Sequence, residues 1–402
     1  MKTVGLHDIG VKLIIALTFI LTFYRTGSNI VLGLLAVTSI IYYLKNWRQI
    51  KLEIYPFVDR FFIAMFIMMI IVVFFSQNIN ISIIWFAWIC TRYLPIFIYR
   101  PFLEENFVAE NFFKALALGS VLCFVFVAGQ VFMHKAIIHN GAPRGAGILG
   151  IMNVAGMCSI IIPIFVALTM ESWQKHQYRL GNIYLVVVLA NMATLLLNGT
   201  RGAWLATAVA IISYFILFWR PRLRTWLIVL IILAALLLGI SQLGIIKSRT
   251  ANNMENRMSV VTRLQMWELG WKTFLQRPLV GVGYGNVPNY EYKVEQGDYK
   301  VVLRDKLNKQ DMAHLHNLYM QTLAEAGIVG MTALISFLGS IFYTFWQKRN
   351  FLWSKIATVA LIGFLGHSMF DYTYGISSEM YLITLVITLT LVRLKKGADH
   401  RD

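Results

Sequence analysis

The chain has 402 residues, of which 58% are hydrophobic and only 14% are charged, and its mean hydropathy is +0.65. No soluble domain of this length needs so large an apolar fraction, so the composition predicts a polytopic membrane protein. The net charge of +17 would suggest nucleic acid in a soluble protein. In a membrane protein, much of it follows from the distribution of Lys and Arg between the two faces, and the remainder suits an anionic ligand. We therefore expect membrane lipids around the protein and no nucleic-acid partner.

Apolar runs long enough to cross about 30 Å of hydrocarbon recur along the chain. They lie at about residues 11–24, 28–44, 57–75, 79–99, 112–133, 146–170, 180–197, 202–219, 224–243, 318–346, 355–371 and 376–392. The first run is short, and we expect it to pair with the second as a hairpin. It has no small-residue cleavage site after it, so we interpret it as a retained helix. The predicted fold is all-α: a transmembrane helical bundle of about 12 spans in a single integral membrane domain over residues 1–402.

The connections between these runs alternate between few and many positive charges. The connections rich in Lys and Arg contain Lys45, Arg48, Lys51, Lys175, Arg179, Arg220, Arg222, Arg224, Lys348, Arg349, Lys355, Arg393, Lys395 and Lys396. Because this bias marks the cytoplasmic face, we expect both termini to be cytoplasmic. The one long polar segment, residues 244–317, is then a large loop on the outer face. It contains several Trp and Tyr residues, so we expect short amphipathic helices within it.

Three basic side chains fall on the same predicted outer face. Arg201 stands at the mouth of one apolar helix, Arg263 lies in the long loop, and His316 is expected to cap the long helix that leaves the loop. An arginine at the edge of hydrocarbon is costly unless it is paired or faces a wet cavity, and a guanidinium binds phosphate bidentately. An imidazole can take a proton from a hydroxyl near neutral pH. The alternatives are snorkelling of either arginine to lipid headgroups and a histidine satisfied by its neighbours.

A spacing motif around His316 carries a resemblance to a known family. His316-Asn317 is followed by nine residues, Gly327, two residues and Gly330, and helical periodicity would bring His316 and both glycines to one face. This pattern, with His314 before it, resembles the signature of the O-antigen ligase family. Thr200-Arg201 and Arg263, the latter followed by the glycine-rich stretch 278–285, look like that family's two essential arginines. The resemblance covers about residues 190–335.

The resemblance implies an activity and a location. The family transfers polysaccharide from undecaprenyl diphosphate to lipid A–core in the bacterial inner membrane, and the fold resembles a GT-C-type membrane glycosyltransferase. Arg201 and Arg263 would clamp the donor diphosphate, and His316 would activate or orient an acceptor hydroxyl, with inversion, at a periplasmic active site. The sequence has no Asp-x-Asp pair and no soluble nucleotide-binding domain, so we expect no cofactor and no metal ion.

Five further residues are expected to contact substrate on weaker grounds. Arg92 is an intramembrane arginine, and such residues are functional candidates by default. Asp371 follows a span on the outer face and is suited to orient a sugar or pair with an arginine, although a helix-end aspartate with no role is an equal alternative. Arg144 lies on the same face, and His314 and Asn317 flank His316.

Two other functions remain open. A polymerase of the same superfamily would use a second undecaprenyl-linked repeat as acceptor, and the His-Leu-His-Asn form and compact loop favour the ligase over it. A transporter of lipid-linked oligosaccharide would also line a cavity with basic residues. It is disfavoured because the sequence shows no two-half symmetry and no paired broken helices.

Overall fold

The structure is a computed structural model that describes residues 5–47, 55–133, 135–139, 142–219, 254–287, 292–296, 299–303 and 314–399. The helices are α1 (Leu6–Ile20), α2 (Arg25–Asn46), α3 (Pro56–Phe74), α4 (Ile79–Tyr93), α5 (Pro95–Tyr99), α6 (Asn106–Phe132), α7 (Ile151–Gln174), α8 (Tyr178–Asn198), α9 (Arg201–Tyr214), α10 (Met254–Gln276), α11 (Leu318–Gln347), α12 (Leu352–His367) and α13 (Ser377–Asp399). Two antiparallel hairpins, β1 (Ile137–His139) with β2 (Ala142–Arg144) and β3 (Tyr292–Gln296) with β4 (Tyr299–Leu303), lie between helices.

The described helices confirm an all-α, polytopic membrane protein. Nine helical segments are long and apolar enough to span a membrane: α2, α3, α4 with its continuation to Phe102, α6, α7, α8, α9 with its continuation to Trp219, α11 and α13. Two shorter helices, α1 with 15 residues and α12 with 16, coincide with two more of the predicted spans. The remaining predicted span, 224–243, lies outside the described residues.

Two helices form the centre of the bundle. In their most apolar windows, 83% of the residues of α7 and 94% of those of α13 are buried, whereas most other spans keep a large lipid-facing side. Helix α12 approaches α7 closely because Gly363 has no side chain: a Cβ there would lie 2.0 Å from the carbonyl oxygen of Ser159. Small residues permit such close backbone contact between membrane helices. As predicted, α1 packs against α2.

Contacts between connections place several Lys- and Arg-rich segments together at one end of the bundle. Arg393, near the end of α13, donates to the Oδ1 of Asn106 at 2.8 Å and to the carbonyl oxygen of Glu105 at 2.7 Å, at the start of α6. Lys355, at the start of α12, pairs with Glu171, near the end of α7. This grouping agrees with the predicted alternation of charge, and which end faces the cytoplasm stays a prediction.

The segment before α11 is built differently from the expected short amphipathic helices. Its described part contains one helix of 23 residues, α10, followed by turns over 277–287 and then the β3–β4 hairpin. No proline interrupts the helical sequence before Pro278, and the residue preceding a proline disfavours helix, so α10 continues to Gln276. Helix α10 packs against α11, and the Nε1 of Trp267 on α10 donates to the carbonyl oxygen of Leu315 at 3.1 Å, just before that span.

Candidate active site

Helix α11 begins at a cap that fixes the residues before it. The Oδ1 of Asn317 accepts hydrogen bonds from the backbone N–H groups of Tyr319 at 2.9 Å and Met320 at 3.0 Å, which is the arrangement of an N-cap. Its Nδ2 donates to the carbonyl oxygen of Met369 at 3.1 Å. The expectation that His316 caps the helix is therefore wrong. His316 lies one residue outside the cap, with φ at +46°.

His316 is joined to Asp371 by a hydrogen bond. The Nδ1 of His316 lies 3.1 Å from the Oδ1 of Asp371, which also accepts from the backbone N–H of Tyr372 at 2.8 Å. Burial alone would raise the pKa of Asp371, but the hydrogen bond with His316 and the charges of neighbouring histidines lower it to about 2. An ionised carboxylate only accepts, so Nδ1 of His316 donates, and in the neutral ring the lone pair is on Nε2. His316 is thereby oriented to accept a proton.

His314 lies beside His316 and stays neutral. The two ring centroids are 4.3 Å apart in an edge-on arrangement. Burial and the charge of His316 lower the pKa of His314 to about 4. Within the described part of the chain, its buried Nδ1 has no hydrogen-bond partner. His314 therefore adds a polar but uncharged group next to the proton acceptor.

Arg201 and Arg263 lie near each other, and Arg263 lies near Asp371. Arg201 is the first residue of α9, and Arg263 lies on α10. Burial lowers the pKa of Arg263, the charge of Asp371 raises it, and the charge of Arg201 lowers it, so both groups act on the Arg263 guanidinium. Among the described residues, no carboxylate lies within ion-pair distance of either arginine. Arg263 thus lies close to the charges of Arg201 and of the aspartate that bonds to His316.

Two arginines that were predicted to bind substrate contact protein groups. The Nε of Arg144 donates to the carbonyl oxygen of Asn198 at 2.9 Å, and its Nη2 donates to the hydroxyl of Thr200, which secures the turn before Arg201. Arg92 is buried in the bundle, where its Nη1 donates to the hydroxyl of Tyr381 at 3.0 Å. Together with the capping residue Asn317, these side chains hold neighbouring segments of the site in place, and substrate binding by them stays a prediction.

A cavity of about 330 Å³ opens beside His316. Its lining includes three predicted residues, His314, His316 and Asp371, and further groups that the sequence interpretation did not select: Arg25, Trp85, Trp88, Met152, Asn153, Gly285, Gln321, Glu325, Tyr372, Gly375 and Ile376. The size falls at the lower end of the range, about 300–1,000 Å³, that holds small ligands. The cavity walls come from α4, from the first turns of α2, α7 and α11, and from the connection between α12 and α13, at the end of the bundle opposite the Lys- and Arg-rich connections.

Glu325 is the most informative residue that the sequence interpretation missed. Its Oε1 accepts from the backbone N–H of Gly285 at 2.7 Å and from Nε2 of Gln321 at 2.8 Å. The Oε1 of Gln321 accepts from the backbone N–H of Leu315 at 2.8 Å. This network ties the turns after α10 to the segment that carries His314 and His316. An acidic residue inside an apolar span was the available signal.

Gly327 interrupts the helical face on which it was expected to lie. It has φ at +60°, and α11 continues on both sides of it across a kink. A Cβ at this position would lie 2.5 Å from the carbonyl oxygen of Leu279, so glycine allows the turns after α10 to pack against α11. The expected common face of His316, Gly327 and Gly330 is therefore absent. The glycine serves the docking of the segment that bears Arg263.

His314, His316 and Asp371 also form a possible metal-ligand group. Their potential ligand atoms all lie within 4.8 Å of one another. Two imidazoles and a carboxylate suit several divalent metals. In the arrangement described above, the Nδ1 of His316 and Asp371 are already joined by a hydrogen bond. That the activity needs no metal ion therefore stays a prediction. An activity measurement after chelation of divalent metal ions tests it.

Replacing Asp371 with asparagine is expected to lower kcat about 10²–10⁴-fold, because an amide cannot stabilise the imidazolium that forms when His316 takes a proton. The affinity of Arg263 for an anionic ligand should stay the same or rise, since the negative charge beside it is removed. With a pKa of about 2, Asp371 is ionised throughout the pH range of an assay. Its titration should therefore cause no fall of kcat at the acidic end of the pH–rate profile. The check is steady-state kinetics against pH. A variant with unchanged kcat would exclude this role for the carboxylate.

Comparison with known proteins finds a match for the central part of the chain. Residues 183–335 match the family model described as O-Antigen ligase, a stretch that contains Arg201, Arg263, His314, His316 and Asn317. This match confirms the resemblance drawn from the sequence. A Haemophilus influenzae protein described as an uncharacterized protein is 23% identical over 232 residues, which are 54% of this chain and 56% of that protein. The matched part thus spans little more than half of that relative.

Proposed function

From the O-antigen ligase domain that this chain carries over residues 183–335, we propose that it transfers a glycan from undecaprenyl diphosphate to a sugar hydroxyl of lipid A–core. Members of the family are glycosyltransferase-like membrane enzymes. The observation that carries the proposal is the hydrogen bond of His316 Nδ1 to Asp371, which leaves Nε2 open. Arg263 lies near this pair and near Arg201, and neither arginine has an ion-pair partner among the described residues. Such a group binds a diphosphate on one side and accepts a proton on the other.

The proposed reaction is a single inverting displacement. An acceptor hydroxyl attacks the anomeric carbon of the donor sugar, and its proton moves to Nε2 of His316 as the new C–O bond forms. The bond from the anomeric carbon to the diphosphate oxygen breaks, and the electron pair leaves on undecaprenyl diphosphate. Arg201 and Arg263 stabilise the charge that develops there, where fixed cations in a water-poor site are most effective. Asp371 holds the imidazole in the required tautomer.

The proposed location is the bacterial inner membrane, with both termini in the cytoplasm and the site open to the periplasm. Two features support this orientation. The Lys- and Arg-rich connections lie at one end of the bundle, as the positive-inside rule requires of the cytoplasmic end. The cavity, His316 and Asp371 lie at the opposite end. A lipid-linked donor would then reach the arginines from within the membrane.

Reconstitution with competing acceptors tests the function. The purified protein in liposomes receives an undecaprenyl-diphosphate glycan together with lipid A–core and a second undecaprenyl-linked glycan. We expect product on lipid A–core and none in liposomes without protein. Elongation of the second lipid-linked glycan alone would assign the polymerase activity instead. Movement of the donor across the bilayer with no new glycosidic bond would assign transport and overturn the proposal.

Activity is expected to survive chelation of divalent metal ions. The two arginines supply the positive charge that a metal would otherwise bring to the leaving diphosphate, and Asp371 already holds His316 by a hydrogen bond. The measurement is the transfer rate before and after EDTA treatment and after subsequent addition of Mg²⁺ or Zn²⁺. Loss of activity on chelation and its recovery with one of these ions would assign His314, His316 and Asp371 to a metal centre.

A further inference from the structure

The cavity beside His316 differs in charge from the pair of arginines. Its lining contains one arginine, Arg25, and two carboxyl groups, Glu325 and Asp371. Neither Arg201 nor Arg263 belongs to the lining, although the charges of Arg201 and Asp371 both act on the Arg263 guanidinium. A diphosphate is attracted more strongly to a pair of guanidinium groups than to one arginine with two carboxyl groups beside it. The cavity therefore suits a different, largely uncharged part of a substrate.

Two tryptophans form an aromatic wall of this cavity. Trp85 and Trp88 lie on α4, with their ring centroids 5.3 Å apart in an edge-on arrangement. The guanidinium of Arg92 lies 4.4 Å from the ring centroid of Trp88. Trp85 packs against Gly285, where a Cβ would lie 2.0 Å from its ring. Both rings are thus held in place before any ligand arrives, and both are only partly buried.

Polar groups complete the lining around the aromatic wall. Asn153, near the start of α7, contributes a side-chain amide whose Oδ1 has no hydrogen-bond partner in the described ranges. Gln321 and Glu325 are fixed to each other and to the backbone by hydrogen bonds. A sugar ring has apolar C–H faces and a rim of hydroxyls. An aromatic wall with amide and carboxyl groups near it matches both features.

We propose that this cavity binds the sugar ring of the acceptor that bears the attacking hydroxyl, with a C–H face of that ring against Trp85 and Trp88. The inference rests on the proposed glycosyl transfer and deepens it. It assigns the diphosphate and the acceptor sugar to opposite sides of the His316–Asp371 pair.

The geometry of an inverting displacement gives the same assignment. The attacking oxygen and the leaving oxygen lie on opposite sides of the anomeric carbon. With the leaving diphosphate on Arg201 and Arg263, the acceptor approaches from the far side. His316 lines the cavity, so a hydroxyl of a ring seated there comes within reach of Nε2.

The kinetic test separates acceptor from donor. Trp85→Phe keeps a smaller ring, and Trp85→Ala removes the stacking surface. We expect the KM for lipid A–core to rise about 3- to 10-fold in the phenylalanine variant and more than about tenfold in the alanine variant. The KM for the undecaprenyl-diphosphate donor should stay near the wild-type value. Trp346→Ala is the matched control, because Trp346 is a partly exposed tryptophan near the other end of α11 and should change neither constant.

A binding measurement without donor keeps this inference distinct from the proposed function. Lipid A–core lacking O-polysaccharide is titrated into purified wild-type, Trp85→Phe and Asn153→Ala proteins in detergent, and affinity is followed by calorimetry. We expect weaker binding in both variants. A rise in donor KM alone, or unchanged binding in folded variants, would overturn the acceptor subsite while leaving glycosyl transfer standing. Absence of transfer by the wild type in the reconstituted assay would instead remove the proposed function.

Discussion

Replacing His316 with asparagine is expected to abolish glycan transfer while the protein still inserts and accumulates. The imidazole is the group that takes the acceptor proton, and loss of a general base costs about 10²–10⁴-fold in rate. Asparagine is preferred to alanine because His316 has φ at +46°, a region that asparagine tolerates and alanine adopts at a cost of about 1–2 kcal/mol. The measurement is the transfer rate together with thermal stability of the purified variant.

A second histidine provides the matched control. His176, between α7 and α8, also has a positive φ, at +57°, but is exposed and bonds to Tyr178 away from the cavity. His176→Asn should retain wild-type transfer, which separates the chemistry of the imidazole from any effect of the backbone conformation. Wild-type activity in His316→Asn would remove the proposed base. Equal losses in both variants would point to folding and not to proton transfer.

The parts of the fold that could be predicted are those that a local pattern determines. A run of apolar residues must form a helix in the membrane because no water satisfies its backbone there, so the spans follow from hydropathy. The kink at Gly327 could not be predicted from a local pattern. Its role depends on the carbonyl oxygen of Leu279, 48 residues earlier, and helical periodicity alone assigned it to a continuous face.

The site was predictable where a charged group lies in an apolar surrounding. Arg201 was selected for that reason, whereas Arg263 and His316 were selected for their predicted outer face and their family resemblance. The structure places Arg263 near Asp371, which bonds to His316. Such a group can bind a ligand or a protein atom, and sequence does not distinguish the two. Arg144 is an example of binding to protein atoms, because it donates hydrogen bonds to Asn198 and Thr200.

The two tryptophans of the aromatic wall could not be predicted from the sequence for a different reason. Trp85 and Trp88 lie in an apolar run, where tryptophan usually faces lipid or packs in the core. Their contribution to the cavity depends on the turns after α10, where Gly285 packs against Trp85, and on the other segments that line the cavity. The same holds for Glu325, whose partner Gly285 is 40 residues away. When the residues of a site come from distant segments, they can be recognised only after the tertiary contacts between those segments are known.

Lysine at position 201 or 263 is expected to reduce transfer about 10²–10³-fold, although the positive charge is kept. A guanidinium offers several N–H donors in a planar fork that matches two phosphate oxygens, whereas an ammonium is a single point charge on a flexible stem. Arg201 begins α9 and Arg263 is partly buried on α10, so neither position allows a lysine to recover the fork by moving. The donor KM and kcat of each variant are the quantities to measure.

Arg277→Lys is the matched control, because Arg277 lies on the same segment, is exposed and donates only to the carbonyl oxygen of Phe75, at 3.1 Å, among the described contacts. It should retain wild-type transfer. The double variant at 201 and 263 should lose little more than the worse single one, since both arginines are proposed to hold one diphosphate and would act as a unit. Wild-type rates in both single variants would refute the clamp. Additive losses would mean that the two arginines act on separate groups of the substrate, and that the charge of Arg201 acts on Arg263 without a ligand shared between them.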